Sequence, residues 1–318
     1  EGAPVLLGGN VRGVSNLQLL KDVVEDSVAV MELDSWQLQG FGELQMSPQI
    51  SVFTNFMEDH MNYYHGDMGV YFGDKAHIFL HQEESGVLVT TQSVFSHAQE
   101  FAKGKHITLG QEVRLVDSSI LPEDCLLSMP GEHNRLNAAL ATEALRATGL
   151  TDEEIFEGLA TFPGVPGRLE YLGEKNGVRI YNDNNATTPT ATIRGIQAVA
   201  KNKNVILIAG GADKEVDPRD LVPVVNEYCK RVVLLPGTGT DRLMSIVKED
   251  STIDRTILGK ISEASSIEEA VEAGLACGLP GDVLLFSPGF ASFGMFTNEY
   301  ERNDQFVKLI TEYGKDAD

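Results

Sequence analysis

The spacing of apolar and polar positions changes several times along the chain. Short β-branched runs at 28–33 and 50–56 read as buried parallel strands. Runs at 87–91, 106–109 and 113–116 are shorter, with turn residues between them, and predict an antiparallel patch. From Asn134 to Thr148 the spacing becomes helical, with Leu136, Leu140 and Leu145 recurring, and it stops at Gly149. Thr151 and Glu154 predict a capping box for a second helix.

Pro163, Gly164, Pro166 and Gly167 form the strongest linker signal in the chain. The pattern restarts beyond it. Strands are predicted at 178–181, 205–209, 232–235 and 283–287. Helices are predicted at 188–200, from Asp217 toward Cys229, up to Val247, and at 267–277 and 298–313. Thr188 caps the first of these, with Pro189 at its first position. Strand–helix alternation of this kind predicts an α/β protein: a mostly parallel sheet with helices on both faces. Two domains are expected, 1–166 and 167–318. In such sheets ligands sit beyond the carboxyl ends of the strands.

Those strand ends are polar. The run at 28–33 delivers Glu32, and the run at 50–56 leads into Asn55, Glu58, Asp59 and His60. A carboxylate and an imidazole there suit either a divalent metal or a capped turn. Lys75, alone after Gly73 and Asp74, reads as a solvated lysine from its context. Gly131, His133, Asn134 and Asn137 open a helix, where free amides suit a phosphate or nucleotide, or ordinary capping. Arg168 follows the linker. Asp183 through Thr188, then Gly210, Gly211, Asp213 and Lys214, then Ser287 through Ser292 and Phe293 close three later strands. Glycines permit close backbone approach, and Lys214 offers charge to a carboxylate or phosphate.

Several signals fail. Gly237 and Gly239 begin a dinucleotide fingerprint, but Arg242 stands at its third glycine. His77 and His81 sit in strand-like context and are not expected to share a helical face. No G-x-x-x-x-G-K-[ST] loop occurs in the sequence.

Composition narrows the partners. The 318 residues are 42% hydrophobic, enough for sizeable cores, and no apolar run reaches the ~20 residues a membrane helix needs. Net charge is −22, from 25 basic and 47 acidic residues, a surface that repels nucleic acid and anionic membranes. Three scattered cysteines, without a CxxC pair, fit a reducing compartment, and a cytoplasmic location is expected. A monomer is the expected state. The opening Glu1-Gly2-Ala3-Pro4 reads as a truncated start.

Taken in order, these strings resemble the Mur ligase family, nearest its D-glutamate-adding branch. They are Gly8-Gly9-Asn10, the segment from Met31 to Leu38, Asn55 through Met61, Gly131 through Asn137, Gly167-Arg168-Leu169-Glu170, Asn182 through Thr187, Gly210 through Lys214, and Ser287 through Phe296. The resemblance spans essentially the whole chain. It implies a central ATPase-type domain followed by a Rossmann-like domain that binds an amino acid. It also implies ATP-driven amide formation between UDP-N-acetylmuramoyl-L-alanine and D-glutamate. Carried over by position, Glu32, His60 and a carbamoylated Lys75 would hold two magnesium ions. Asn134, Asn137, Arg168 and Asp183 would contact ATP. Asn10 would contact the muropeptide, and Thr187, Lys214, Ser292 and Phe293 the incoming amino acid. Asn185 stands where the family has a lysine, so Lys214 would carry more of the carboxylate recognition; Gly294 stands where the family has an aspartate.

Overall fold

The computed structural model describes residues 4–11, 13–106 and 109–313. The read truncation at Glu1 lies outside the described residues, as does the centre of the strand expected at 106–109. Two compact units emerge. One comprises 1–57, 64–117 and 139–151; the other comprises 58–63, 118–138 and 152–318.

The first unit begins with β1 (Val5–Gly9), α1 (Asn16–Leu19), β2 (Val28–Glu32) and α2 (Ser35–Glu43). β1 and β2 form a two-stranded parallel sheet in which Gly9 opposes Glu32. The sequence predicts burial for β2, but all five of its residues are exposed. An apolar run fixes strand geometry, and what covers it depends on the rest of the fold. Asp34 caps α2 through a reciprocal capping box with Gln37.

Then come β3 (Ile50–Phe53), α4 (Met68–Ala76), β4 (Val87–Thr90), α5 (Gln92–Lys105) and β5 (Glu112–Leu115), with α3 (Met61–Tyr64) falling mostly in the 58–63 segment of the other unit. β3, β4 and β5 form a second sheet, parallel throughout. This corrects the antiparallel patch. α5 is capped by Thr91 and buries Val94, Ala98 and Ala102 at helical spacing. It supplies the crossover that parallel pairing requires. Phe53 stacks on Phe72 of α4 at 5.7 Å, and Phe79, Leu88, Val94 and Ala98 close the core. His77 and His81 are also corrected. Just past α4 their rings stack at 5.3 Å, with Nδ1 of His77 3.2 Å from Nε2 of His81.

α6 (Glu132–Ala147) and α7 (Asp152–Thr161) precede the larger sheet. Its elements are β6 (Glu170–Lys175), β7 (Val178–Asn182), α8 (Pro189–Val199), β8 (Val205–Gly210), α9 (Leu221–Tyr228), β9 (Cys229–Leu235), α10 (Thr238–Glu249), β10 (Ile261–Glu263), α11 (Ile267–Ala276), β11 (Val283–Phe286) and α12 (Glu299–Tyr313). Strand order is β10-β9-β8-β11-β7-β6, and only β6 runs antiparallel to its neighbour.

Every residue of β8 is buried because helices cover both faces. Val205, Leu207 and Ala209 meet residues of α8, α9 and α10, while Ile206 and Ile208 meet α11 and α12. The strand order places β11 between β8 and β7. The carboxyl ends of these three strands therefore adjoin, the place where doubly wound sheets bind ligands. Among the described residues, no helix is long and apolar enough to cross a membrane.

Candidate active site

In the larger unit the strand ends carry the polar groups the sequence singles out. Asp183 follows β7 and its residue is only 7% exposed. Leu169 N donates to Oδ1 at 3.2 Å and Ser287 Oγ to Oδ2 at 2.8 Å, which ties β7 to the end of β11. Burial pushes the Asp183 carboxyl up to about 7, against the opposing pull of the Ser287 and Leu169 bonds and the nearby Arg168. The proton held by the folded state but not the unfolded one sets the sign. The stability Asp183 contributes is full below the ordinary carboxylate range and is lost as pH rises through about 7. Chemical denaturation across that window should show this loss, approaching ~1.4 kcal/mol per pH unit. The slope should flatten in Asp183→Asn; an unchanged slope would reject the assignment.

Lys214 follows β8. Its Nζ donates to Thr187 Oγ1 at 3.1 Å and to Asp59 Oδ1 at 3.1 Å. Thr187 comes from the loop after β7. Asp59 and His60 belong to the short 58–63 segment of the same unit. Asp59 Oδ1 also accepts from His60 N at 2.8 Å, and His60 adopts a left-handed φ of 55°. The His60 Nε2 lies 3.5 Å from Asp59 Oδ2.

Backbone bonds lock the three loops together. Gly289 N donates to Ala186 O, Gly210 N to Pro288 O, and Ala212 and Ala291 exchange both bonds. Ser292 is buried beyond that bridge, and Phe293 is exposed. Gly211 is required at the crossing, because a Cβ there would overlap Ala291 O and its φ is +142°.

Asn134 and Asn137 occupy the first turns of α6. Asn134 is buried and donates to Pro130 O at 2.8 Å, while Asn137 is exposed. Arg168 is exposed beside the linker. Asn185, at the family's lysine position, donates to Pro166 O at 3.3 Å and accepts from Asn184 Nδ2 at 3.3 Å.

In the smaller unit, Asn10 N donates to Glu32 O at 2.7 Å, which brings the ends of β1 and β2 together. The Glu32 residue is exposed. Lys75 sits in the last turn of α4, with Nζ 5.2 Å from the Tyr71 ring centroid. Among the described residues, no three His, Cys, Asp or Glu side chains cluster closely enough to hold a metal.

Two residues escaped sequence reasoning. Asp59 reads from the sequence as a metal or turn carboxylate, not as the partner of Lys214. Arg302 carried a readable signal: it lies four and eight residues before Phe306 and Ile310, on the buried stripe of α12.

Comparison with known proteins gives the family. The family description "Mur ligase middle domain" matches residues 13–118, and "Mur ligase, glutamate ligase domain" matches residues 167–290. The UDP-N-acetylmuramoylalanine–D-glutamate ligase of Roseiflexus sp. (strain RS-1) is 32% identical over 335 residues, spanning 97% of this chain and 70% of that protein. The protein of the same name from Acetivibrio thermocellus is 32% identical over 98% of this chain and 69% of its own length. Among solved structures, MurF from Acinetobacter baumannii aligns with a TM-score of 0.66 at 15% identity, over 98% of this chain and 71% of its own. Folylpolyglutamate synthase from Mycobacterium tuberculosis aligns at 0.63 and 16% identity, over 91% of this chain and 70% of its own. At those identities the structural likeness speaks for the fold alone. The sequence matches decide the family: this chain belongs to the Mur ligases.

Proposed function

We propose that the chain forms the nucleotide-binding and amino-acid-binding parts of an ATP-dependent ligase that joins D-glutamate to UDP-N-acetylmuramoyl-L-alanine, a step toward peptidoglycan. Residues 1–166 would serve the nucleotide, and 167–318 would receive the amino acid and add Arg168 and Asp183 to the nucleotide set. The observation that carries this reading is Lys214, a cation held by Thr187 and Asp59 at the strand ends where an anionic amino acid would dock.

In the proposed reaction the substrate carboxylate attacks the γ-phosphorus of ATP and ADP leaves, giving an acyl phosphate. The amine of the amino acid then adds to that carbonyl. Phosphate departs with one former carboxylate oxygen, and the amine loses a proton. Asn134, Asn137, Arg168 and Asp183 are the proposed ATP set, with Asp183 organising the strand end from its buried position. Asn10 would meet the muropeptide, and Thr187, Lys214, Ser292 and Phe293 the amino acid.

Magnesium takes oxygen donors. In the smaller unit the exposed Glu32 could offer a carboxylate and a carbamate on Lys75 further oxygens, and in the larger unit His60 could offer a nitrogen. Bound there, magnesium would neutralise charge on the transferring phosphoryl group. As an ammonium, Lys75 suits both the helix C-terminus and the Tyr71 face. A carbamate at that helix end would therefore depend on the metal to hold it. Lys75→Ala is expected to lose at least 100-fold in kcat (on the order of 3 kcal/mol) and to regain activity with added short-chain acids. Loss without rescue would count against the carbamate. Three free cysteines among the described residues fit the reducing cytoplasm, and a monomer is the proposed state.

Asn185 favours a second reading, a ligase of the same family with a different amino acid. Its carboxamide is engaged by Pro166 and Asn184 and brings no charge. A panel of amino acids assayed with the complete gene product separates the two. A preference for D-glutamate supports the first reading, and preference for another amino acid replaces it with the second.

A further inference from the structure

Arg302 is fully buried in α12, with no exposed surface. Burial of a guanidinium is costly, and such groups usually meet a carboxylate. The Glu299 carboxylate acts on Arg302 through space, but among the described residues the hydrogen bonds of its guanidinium all end on amide oxygens. Nε donates to Asn184 Oδ1 at 2.8 Å, Nη2 to Asn184 O at 3.0 Å, and Nη1 to Phe290 O at 3.1 Å. Its partners thus lie in the loop after β7 and the loop after β11.

The same helix holds the end of β7 and the loop after it at two further points. Glu299 O accepts from Asn184 Nδ2 at 3.0 Å, and Asn303 Oδ1 accepts from Asn182 Nδ2 at 2.9 Å. The second loop is bonded in turn to the loop after β8 through Ala212 and Ala291. Thr187, Ser292 and Lys214 ride on these three loops.

We propose that Arg302 is a positioning residue for amino-acid binding: its planar fork fixes the β7 and β11 loops against each other and so sets where Thr187, Ser292 and Lys214 meet the substrate. A lysine cannot reproduce this arrangement, because one ammonium replaces donors that diverge from a rigid plane toward separate acceptors. Asn184 is the complementary half. Its side chain accepts from Arg302 and donates to Glu299 and Asn185.

The inference rests on the proposed ligase reading, and the test keeps the two apart. Wild-type complete gene product that forms no amide with any amino acid rejects the ligase reading, whatever Arg302 does. In active protein, Arg302→Lys and Asn184→Ala are compared with wild type by steady-state kinetics. The expected result is a KM for the amino acid raised tenfold or more, a KM for ATP within twofold, and a kcat within threefold. Hydrogen exchange should speed up at the amides of 184–187 and 289–292 and stay unchanged in β8. An unchanged amino-acid KM in whichever variant folds overturns the proposal. So does failure of both to fold, which would assign Arg302 to the stability of the unit alone.

Discussion

Lys214→Ala should raise the KM for the incoming amino acid by about 10- to 150-fold, with the KM for ATP little changed. A charge-assisted bond to a carboxylate is worth about 1.5–3 kcal/mol, and each 1.4 kcal/mol is a factor of ten. The Lys214 ammonium already has two oxygen partners, Thr187 and Asp59, and its side chain keeps only 19% of its surface exposed. It is therefore held in place before substrate arrives, and little ordering remains to be done on binding. An arriving carboxylate can take the place of Asp59 as the anionic partner without leaving the ammonium unpaired. Lys214→Arg should recover part of the affinity, because charge is kept while the shape changes. Steady-state kinetics with the amino acid varied would decide this, and an unchanged KM in Lys214→Ala would contradict it.

Phe286→Ala should destabilise the larger unit by about 3–5 kcal/mol, the usual cost of emptying a buried aromatic site. Phe286 has no exposed surface, and its ring stacks on Phe306 with centroids 4.4 Å apart. The cavity would open between the end of β11 and α12, and its walls can collapse only by moving one of them. Phe286 O also accepts from Asp183 N at 2.7 Å, so the loosened strand end is the one that carries the site. Urea denaturation should show a lowered midpoint with a similar slope. A loss below 1 kcal/mol would mean the core repacks, and the claimed rigidity of this strand end would fall with it.

Much of the larger sheet was legible because its central strands are buried on both faces. β8, β11 and the 232–235 part of β9 read as unbroken apolar runs, and Thr188-Pro189 announces α8. β6 escaped because it is a half-exposed edge strand with charged ends, paired antiparallel across a register shift near Gly173. β10 is three residues long.

In the smaller unit the runs at 87–91 and 113–116 were found, but their direction was misread. Direction depends on what lies between strands, and α5 had its own signal in Thr91, Val94, Ala98 and Ala102. The exposure of β2 could not be read, since burial is decided by neighbours that the local pattern does not name. At the candidate site the polar strand ends were visible one by one. Their joining was not, because the Arg302–Asn184 and Lys214–Asp59 bonds span 118 and 155 residues of chain.

The central claim is that this Mur ligase works by activating a carboxylate as an acyl phosphate, for an amino acid received beside Lys214. The direct test labels both carboxylate oxygens of UDP-N-acetylmuramoyl-L-alanine with heavy oxygen and supplies ATP and D-glutamate to the complete gene product. The predicted result is inorganic phosphate carrying one labelled oxygen for each amide bond formed. Amide product accompanied by unlabelled phosphate, or the absence of any amide product, would contradict it.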